Sequence, residues 1–438
     1  MGIFTGALLI CVTAVGVIVL QRSMQPKLTP IGDGYVGPGW RNVSDIFRKN
    51  VENGLERGGA FAVYYKGRLV VDLRGGYADV EAKLPWSKDT ISQLFSTTKA
   101  IGAITIAHLV DKGLLDYNKP IATYWKDFAQ NGKEKITLKM FLSHQAGLGF
   151  MDERFHMKMI LTNWLKAGEI LARQKPEWEP GTRHGYHMIS FGLYLDQIVR
   201  RVDDEQRSLG QYFHEEIAKP FGLDIFIGLP FEENYRCARI YTRPLTDLLQ
   251  TSWNSWRDTY AFWTSSGSKT LLSKVENSFA ELPKGEILVY NRPHYRLIPN
   301  CAAYGFGTPV SVAKLMSFMS HGIDIERSKS LLTRKTVKKL LQKQVSGHDE
   351  VLSRFRENGT SMFSLGLQIK DHPVYPGKLV YGHDGYGGQT GFFDMEKDLA
   401  WGYVTNHMSF SMSNDDPYYM ELVKAMYSAV EFLENKKE

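Results

Sequence analysis

Apolar residues alternate with polar ones toward both ends of the chain, whereas the middle carries the longer spacing of helices. Val43 to Leu55 reads as a helix. It is followed by Ala60 to Tyr65, a Lys66-Gly67 turn and Arg68 to Leu73, a pattern that predicts a β-hairpin. From Ser96 the period lengthens: Ile101, Ile104, Ala107, Leu109 and Val110 recur at helical spacing and Gly113 closes the run. Helical patterns with long loops continue to about residue 345. Strand patterns return at Phe363 to Lys370, Lys378 to Tyr381, Thr390 to Asp394 and Leu399 to Asn406. A final helix shows Tyr419, Leu422, Val423, Met426, Val430 and Leu433 on one face. Strands at both termini around a helical middle predict an α+β fold: one antiparallel sheet built from both ends, flanked by helices, with an inserted mainly helical lobe. A cleft is expected where the lobes meet.

The first residues follow another pattern. Ile3 to Leu20 is uncharged and apolar, close to the lower limit of the roughly 20 residues that span a bilayer. It lacks the basic start and small-residue cleavage site of a signal peptide, so an uncleaved single-pass anchor over residues 3–20 is the expectation, with secretion after cleavage as the alternative. The chain then divides into an anchor (1–25), a Pro/Gly-rich linker (26–40) and a folded region (41–438).

Composition narrows the functional classes. With 438 residues, 43% of them hydrophobic, the chain can bury a large core. Its net charge of +6 is dispersed rather than gathered in a basic block, which argues against nucleic acid as a partner. The three cysteines form neither a C-x-x-C pair nor a metal-ligand spacing with histidine. No metal and no organic cofactor is expected.

Three segments carry candidate chemistry. Ser96-Thr97-Thr98-Lys99 opens the first long helix, placing a hydroxyl and an amine on one face beside a helix N-terminus. The spacing is cheap by itself, since Ser266/Lys269 and Ser311/Lys314 repeat it. Pro180-Gly181-Thr182-Arg183-His184-Gly185-Tyr186-His187 delivers a phenol to the mouth of a helix starting near Ile189, where a neighbouring lysine could make it a general base. Gly382-His383-Asp384-Gly385-Tyr386-Gly387-Gly388-Gln389-Thr390-Gly391 is glycine-dense between strands, as a close backbone approach to a ligand requires. No Gly-x-Ser-x-Gly elbow and no Gly-Lys-Ser/Thr phosphate loop are present.

In this order the three segments resemble the β-lactamase and penicillin-binding-protein-like superfamily, in particular its branch of class C β-lactamases, β-lactamase-like esterases and animal β-lactamase-domain proteins. Leu142-Ser143-His144-Gln145-Ala146-Gly147-Leu148, Gly305-Phe306-Gly307-Thr308-Pro309 and Tyr403-Val404-Thr405-Asn406 agree with that branch. The resemblance, from about residue 35 to the end, implies a β-lactamase/transpeptidase-like fold. It also implies Ser96 as nucleophile, Lys99 as its activating partner, Tyr186 as the base that then protonates the leaving group, and His383 in place of the lysine of the family's Lys-Thr-Gly element. The backbone amides of Ser96 and Tyr386 become the oxyanion donors, with Gly385, Asp384 and Met188 beside the substrate. Met188 stands where many β-lactamases carry asparagine, and neutral His383 weakens a site for a substrate carboxylate. Both departures point to a small-molecule ester, or a peptide lacking that carboxylate. The alternatives are a membrane-tethered scaffold without turnover and a peptidase acting on small or D-amino-acid peptides. Trp253, Trp256, Tyr260, Phe262 and Trp263 suggest either an apolar wall for an acyl chain or the packing of an insertion.

Overall fold

A computed structural model describes Gly16 and residues 33–242, 271–282, 287–353, 359–409 and 416–436 of the chain. In chain order the elements that frame the site are β1 (Asp33–Val36), α1 (Arg41–Glu52), β2 (Gly58–Tyr65) and β3 (Arg68–Asp79). The helices α2 (Thr98–Asp111), α3 (Ser190–Val202) and α4 (Pro309–Ser320) follow. The chain then returns through β4 (Val345–His348), β5 (Thr360–Phe363), β6 (Gln368–Asp371), β7 (Leu379–Asp384), β8 (Thr390–Asp394), β9 (Leu399–Thr405) and α5 (Pro417–Asn435).

The strands form one antiparallel sheet in the order β1-β3-β2-β9-β8-β7-β6-β5-β4, and Leu84–Pro85 pairs with the end of β3. The two termini meet at β2 and β9, where Tyr65 faces Leu399 and Gly59 faces Thr405. Lys66 and Gly67, with φ of 51° and 70°, make the tight turn that joins β2 to β3.

Because side chains alternate across a strand, each strand divides its apolar residues between two cores. Phe61, Val63, Leu399, Trp401 and Tyr403 pack with Val43 and Phe47 of α1 and with Tyr419, Leu422, Val423 and Met426 of α5. Ala60, Ala62, Tyr64, Ala400 and Val404 face the helical lobe, in a core with α2, α3 and α4. Helix α4 lies directly on this second face. A Cβ on Gly402 would sit 2.6 Å from the carbonyl oxygen of Pro309, and one on Gly391 would sit 2.7 Å from Val312. Thr308 caps α4 by accepting the amide of Ser311 at 3.2 Å.

Two stretches differ from the sequence pattern. Asp33–Val36, within the residues expected to be linker, pairs with Val71 to Arg74 as an edge strand. Phe363 to Lys370 is not one strand but a tight hairpin, since Gly366 takes φ of 94° and the amide of Ser364 donates to the carbonyl of Leu367 at 2.9 Å. The membrane-spanning anchor and the membrane localisation built on it are corrected: among the described residues no helix is long and apolar enough to cross a membrane. The 3–20 run is at the lower margin of spanning length, and all of it but Gly16 lies outside the described residues. The aromatic stretch 253–263 also lies outside them.

Candidate active site

Ser96 sits where a short strand becomes a helix. Ser92–Gln93 pairs with Gly305–Gly307, and the Leu94 amide donates to the Gly305 carbonyl at 2.8 Å. Phe95 then takes φ of 46°, a left-handed conformation that costs a large side chain on the order of 1–3 kcal/mol. The bend is held from both sides by the Thr98 hydroxyl, which donates to the Phe95 carbonyl at 2.5 Å and accepts the Gly305 amide at 3.0 Å. Ser96 is thereby presented on a single 3₁₀ turn, Phe95–Thr97, at the start of α2.

α2 is buried on every side from Thr98 to Leu109, so Lys99, one turn along, points into the interior with no exposed surface. Its Nζ lies 3.4 Å from Ser96 Oγ and donates to the carbonyls of Met188 at 2.8 Å and Ala302 at 2.7 Å. It also stands 4.5 Å from the ring centre of Tyr186. No carboxylate pairs with it among the described residues. Burial disfavours the charged form and holds its pKa well below that of an ordinary lysine.

Tyr186 precedes α3 and is buried at 6% exposure. Its backbone is fixed by Asp349, whose Oδ1 accepts the amides of Tyr186, Val351 and Leu352 at 3.1, 2.9 and 2.8 Å. Asp349 Oδ2 accepts the Ser361 hydroxyl at 2.7 Å. The ring stacks on Phe363, with centres 6.0 Å apart, and meets His144 edge-on at 5.1 Å. His144 Nδ1 accepts the His187 amide at 3.1 Å, and His187 Nε2 accepts the Leu148 amide at 3.1 Å, so neither nitrogen can carry a proton. Both rings are fully buried and neutral: desolvation pushes His144 well below the usual histidine range and His187 down to about 4.

The third segment splits across the sheet. His383 lies on the site side, its ring 5.8 Å from that of Tyr186 and its Nδ1 donating to the Asp384 carbonyl at 2.6 Å. Asp384, one residue on, lies on the α1/α5 side, where its carboxylate pairs with Lys370, whose ammonium lies over the Phe392 ring. The expectation that Asp384 lines the substrate site is corrected by the two-residue period of the strand. Gly385 presses on the turn that carries the serine. A Cβ there would lie 2.3 Å from the Leu94 carbonyl and 2.9 Å from Thr97 Oγ1, so only glycine lets the two chains approach. Tyr386 follows, 49% exposed, its ring edge-on to Phe95 at 5.8 Å.

The structure thus brings together Ser96, Lys99, Tyr186, His383, Gly385 and Tyr386, and uses the carbonyl of Met188 rather than its side chain to hold Lys99. The repeated Ser-x-x-Lys at Ser311 and Lys314 is different: Lys314 pairs with Asp324 at 3.4 Å and Glu326 at 2.9 Å, while Ser311 accepts the Asp224 amide at 2.8 Å. Ser266 and Lys269 lie outside the described residues. Sequence reasoning missed Asp349, Phe363 and the Ala302 carbonyl, for which no local pattern exists. It quoted the segment that holds His144 without giving that residue a role.

The chain is similar to known proteins over most of its length. The family model described as Beta-lactamase matches residues 44–424. The chain is 27% identical, over 80% of its length and 77% of the relative's, to the esterase/beta-lactamase LipL of Mycobacterium tuberculosis. Among solved structures, a family VIII carboxylesterase superposes with a TM-score of 0.77 at 31% identity, covering 91% of this chain and 99% of that one. A penicillin-binding protein homolog from Caulobacter crescentus superposes with a TM-score of 0.74 at 29% identity, covering 91% and 99%.

Proposed function

The chain belongs to the Beta-lactamase family, and from that premise we propose that it hydrolyses small carboxylic esters through an acyl-enzyme on Ser96. The observation that carries the reading is Lys99, a buried amine without a carboxylate partner among the described residues, 3.4 Å from the serine oxygen. A neutral amine has two N–H groups and one lone pair. The carbonyls of Met188 and Ala302 take the two N–H groups, which leaves the lone pair for the Ser96 proton. Tyr186, beside the same nitrogen, completes a coupled pair that moves this proton to the leaving alkoxide. The Gly385 contact with the Leu94–Thr97 turn supports the amides of Ser96 and Tyr386 as donors to the developing oxyanion.

Esters fit this site better than β-lactam antibiotics. A carboxylate on the substrate would find the buried His383 imidazole where the family's lysine is expected, while Lys370 is held by Asp384 across the sheet. The esterases among the similar proteins point the same way.

A fluorophosphonate probe tests the reading. Wild type should be labelled, Ser96→Ala should not, and p-nitrophenyl esters should turn over faster than a chromogenic cephalosporin. Labelling of both proteins alike would place the nucleophile elsewhere, and labelling of neither would leave a non-catalytic scaffold.

A further inference from the structure

A second concave site lies on the outer side of the segment that backs the catalytic serine. It is a groove of about 640 Å³, whose walls include Leu84, Pro85, Tyr235, Arg236, Pro293 and Arg296. Arg296, 5% exposed, lines it. The guanidinium is fixed rather than neutralised: Nε donates to the Tyr290 carbonyl at 2.9 Å and Nη1 to Asn234 Oδ1 at 3.3 Å. Among the described residues no carboxylate lies within ion-pair distance of it. Burying a charge without a counter-charge is costly, and a fold that lines a groove with one has prepared a place for an anion.

The other charges of the groove leave that place open. Arg236 is held by Asp224 and by Glu233 at 3.4 Å, and Arg239 reaches the exposed Glu81 at 3.7 Å. Asp79 and Asp89 also line the groove; Asp79 Oδ1 is turned to the Tyr241 hydroxyl and the amides of Glu81 and Ala82. Asp89 stands exposed on the rim. Leu84 and Tyr235, 48% and 80% exposed, give the walls an apolar surface open to solvent.

We infer that this groove binds an amphiphilic organic anion, its carboxylate or phosphate on Arg296 and its apolar body along Leu84, Pro85, Tyr235 and Pro293. The occupant is distinct from the substrate at Ser96, although the two sites share a wall. Tyr290, whose carbonyl holds Arg296, packs its ring edge-on to Phe95 at 5.3 Å on the other side.

Octanoate and octyl phosphate serve as probes, with octanol as the uncharged control, titrated calorimetrically into full-length protein whose Ser96 has first been phosphonylated. Blocking Ser96 separates this site from the catalytic one, and binding is read whether or not the protein hydrolyses esters: if no label is taken up, the unlabelled Ser96→Ala protein is used. The inference predicts saturable binding of both anions and not of octanol, weakened about tenfold or more by Arg296→Gln and less by Arg296→Lys. Should Arg296→Gln fail to fold, Leu84→Asp on the exposed rim replaces it and is expected to weaken octanoate binding. Stronger binding of octyl phosphate than of octanoate indicates a phosphate-bearing ligand, and the reverse a carboxylic acid. Equal binding of octanol, or anion binding unchanged in the folded variants, overturns the inference.

Discussion

The residues nearest the active site and those just across the sheet from it give their ionisable groups different surroundings. On the α1/α5 side Lys370 pairs with Asp384, and Asp394 accepts both His372 Nε2–H at 3.1 Å and the Tyr427 hydroxyl at 3.2 Å. On the side of α2 and α3, Lys99 has carbonyls, the Ser96 hydroxyl and the Tyr186 ring around it and no carboxylate among the described residues, and burial keeps His144 and His187 neutral, with backbone amides on Nδ1 of the first and Nε2 of the second. His383 and Asp384 are adjacent in sequence yet belong to different regimes. The Lys370–Asp384 pair ties neighbouring strands together, whereas the desolvated Lys99 amine has a displaced pKa, the condition for proton transfer near neutral pH.

Lys133 is the control for burial alone. It too is enclosed and donates to two carbonyls, those of Gln130 at 2.7 Å and Gln174 at 2.6 Å, and its pKa falls to about 8. No hydroxyl nucleophile accompanies it in those contacts, so a desolvated amine becomes a candidate for catalysis only through what stands next to it.

Substitution can break the contrast between the two surroundings. Lys99→Met should lower kcat/KM for p-nitrophenyl esters by about 10⁴-fold, because serine and lysine act as a unit. It should leave the urea midpoint unchanged or raise it, since an apolar side chain replaces a desolvated amine. A large loss of stability would show that the lysine is structural. Tyr186→Phe should cost about 10²–10⁴ in kcat with the fold intact. Lys370→Met, on the opposite face, should reverse the pattern. Leaving Asp384 without its cation should destabilise the protein by about 3 kcal/mol, measured by urea unfolding, while ester hydrolysis changes far less than in Lys99→Met.

The smallest effect is on acid stability. His187 and His108 have folded pKa values lowered to about 4, by burial first in each case. Between that value and the ordinary histidine value of about 6.5 the unfolded chain binds more protons than the folded one. Stability is therefore lost as pH falls through this window. Urea midpoints at pH 7 and pH 5 should differ in that direction, and His187→Asn should reduce the difference if it folds.

How far these contrasts were legible in the sequence depends on the range of the interaction. The β2–β3 hairpin, α2, β8, β9 and α5 follow from local period and turn residues, and the order Ser96, Tyr186, His383 named residues that the fold brings together. The hairpin at Gly366 was read as one strand because its flanks share a two-residue period, and β1 was hidden by its short length at a sheet edge. The side taken by Asp384 required the strand register, which begins at its pairing with Thr390. Asp349 comes from a segment 163 residues beyond Tyr186, and nothing in its neighbourhood announces that it will hold the Tyr186 amide.

The central claim is that a neutral, desolvated Lys99 receives the Ser96 proton. Its most direct test is the second-order rate of Ser96 phosphonylation measured against pH, with the labelled residue identified by peptide mass spectrometry. The account predicts modification at Ser96 with a rate that rises along a single inflection well below the ordinary lysine range and is lost in Lys99→Met. A rate that climbs only near pH 10, or one that survives that substitution, would contradict it.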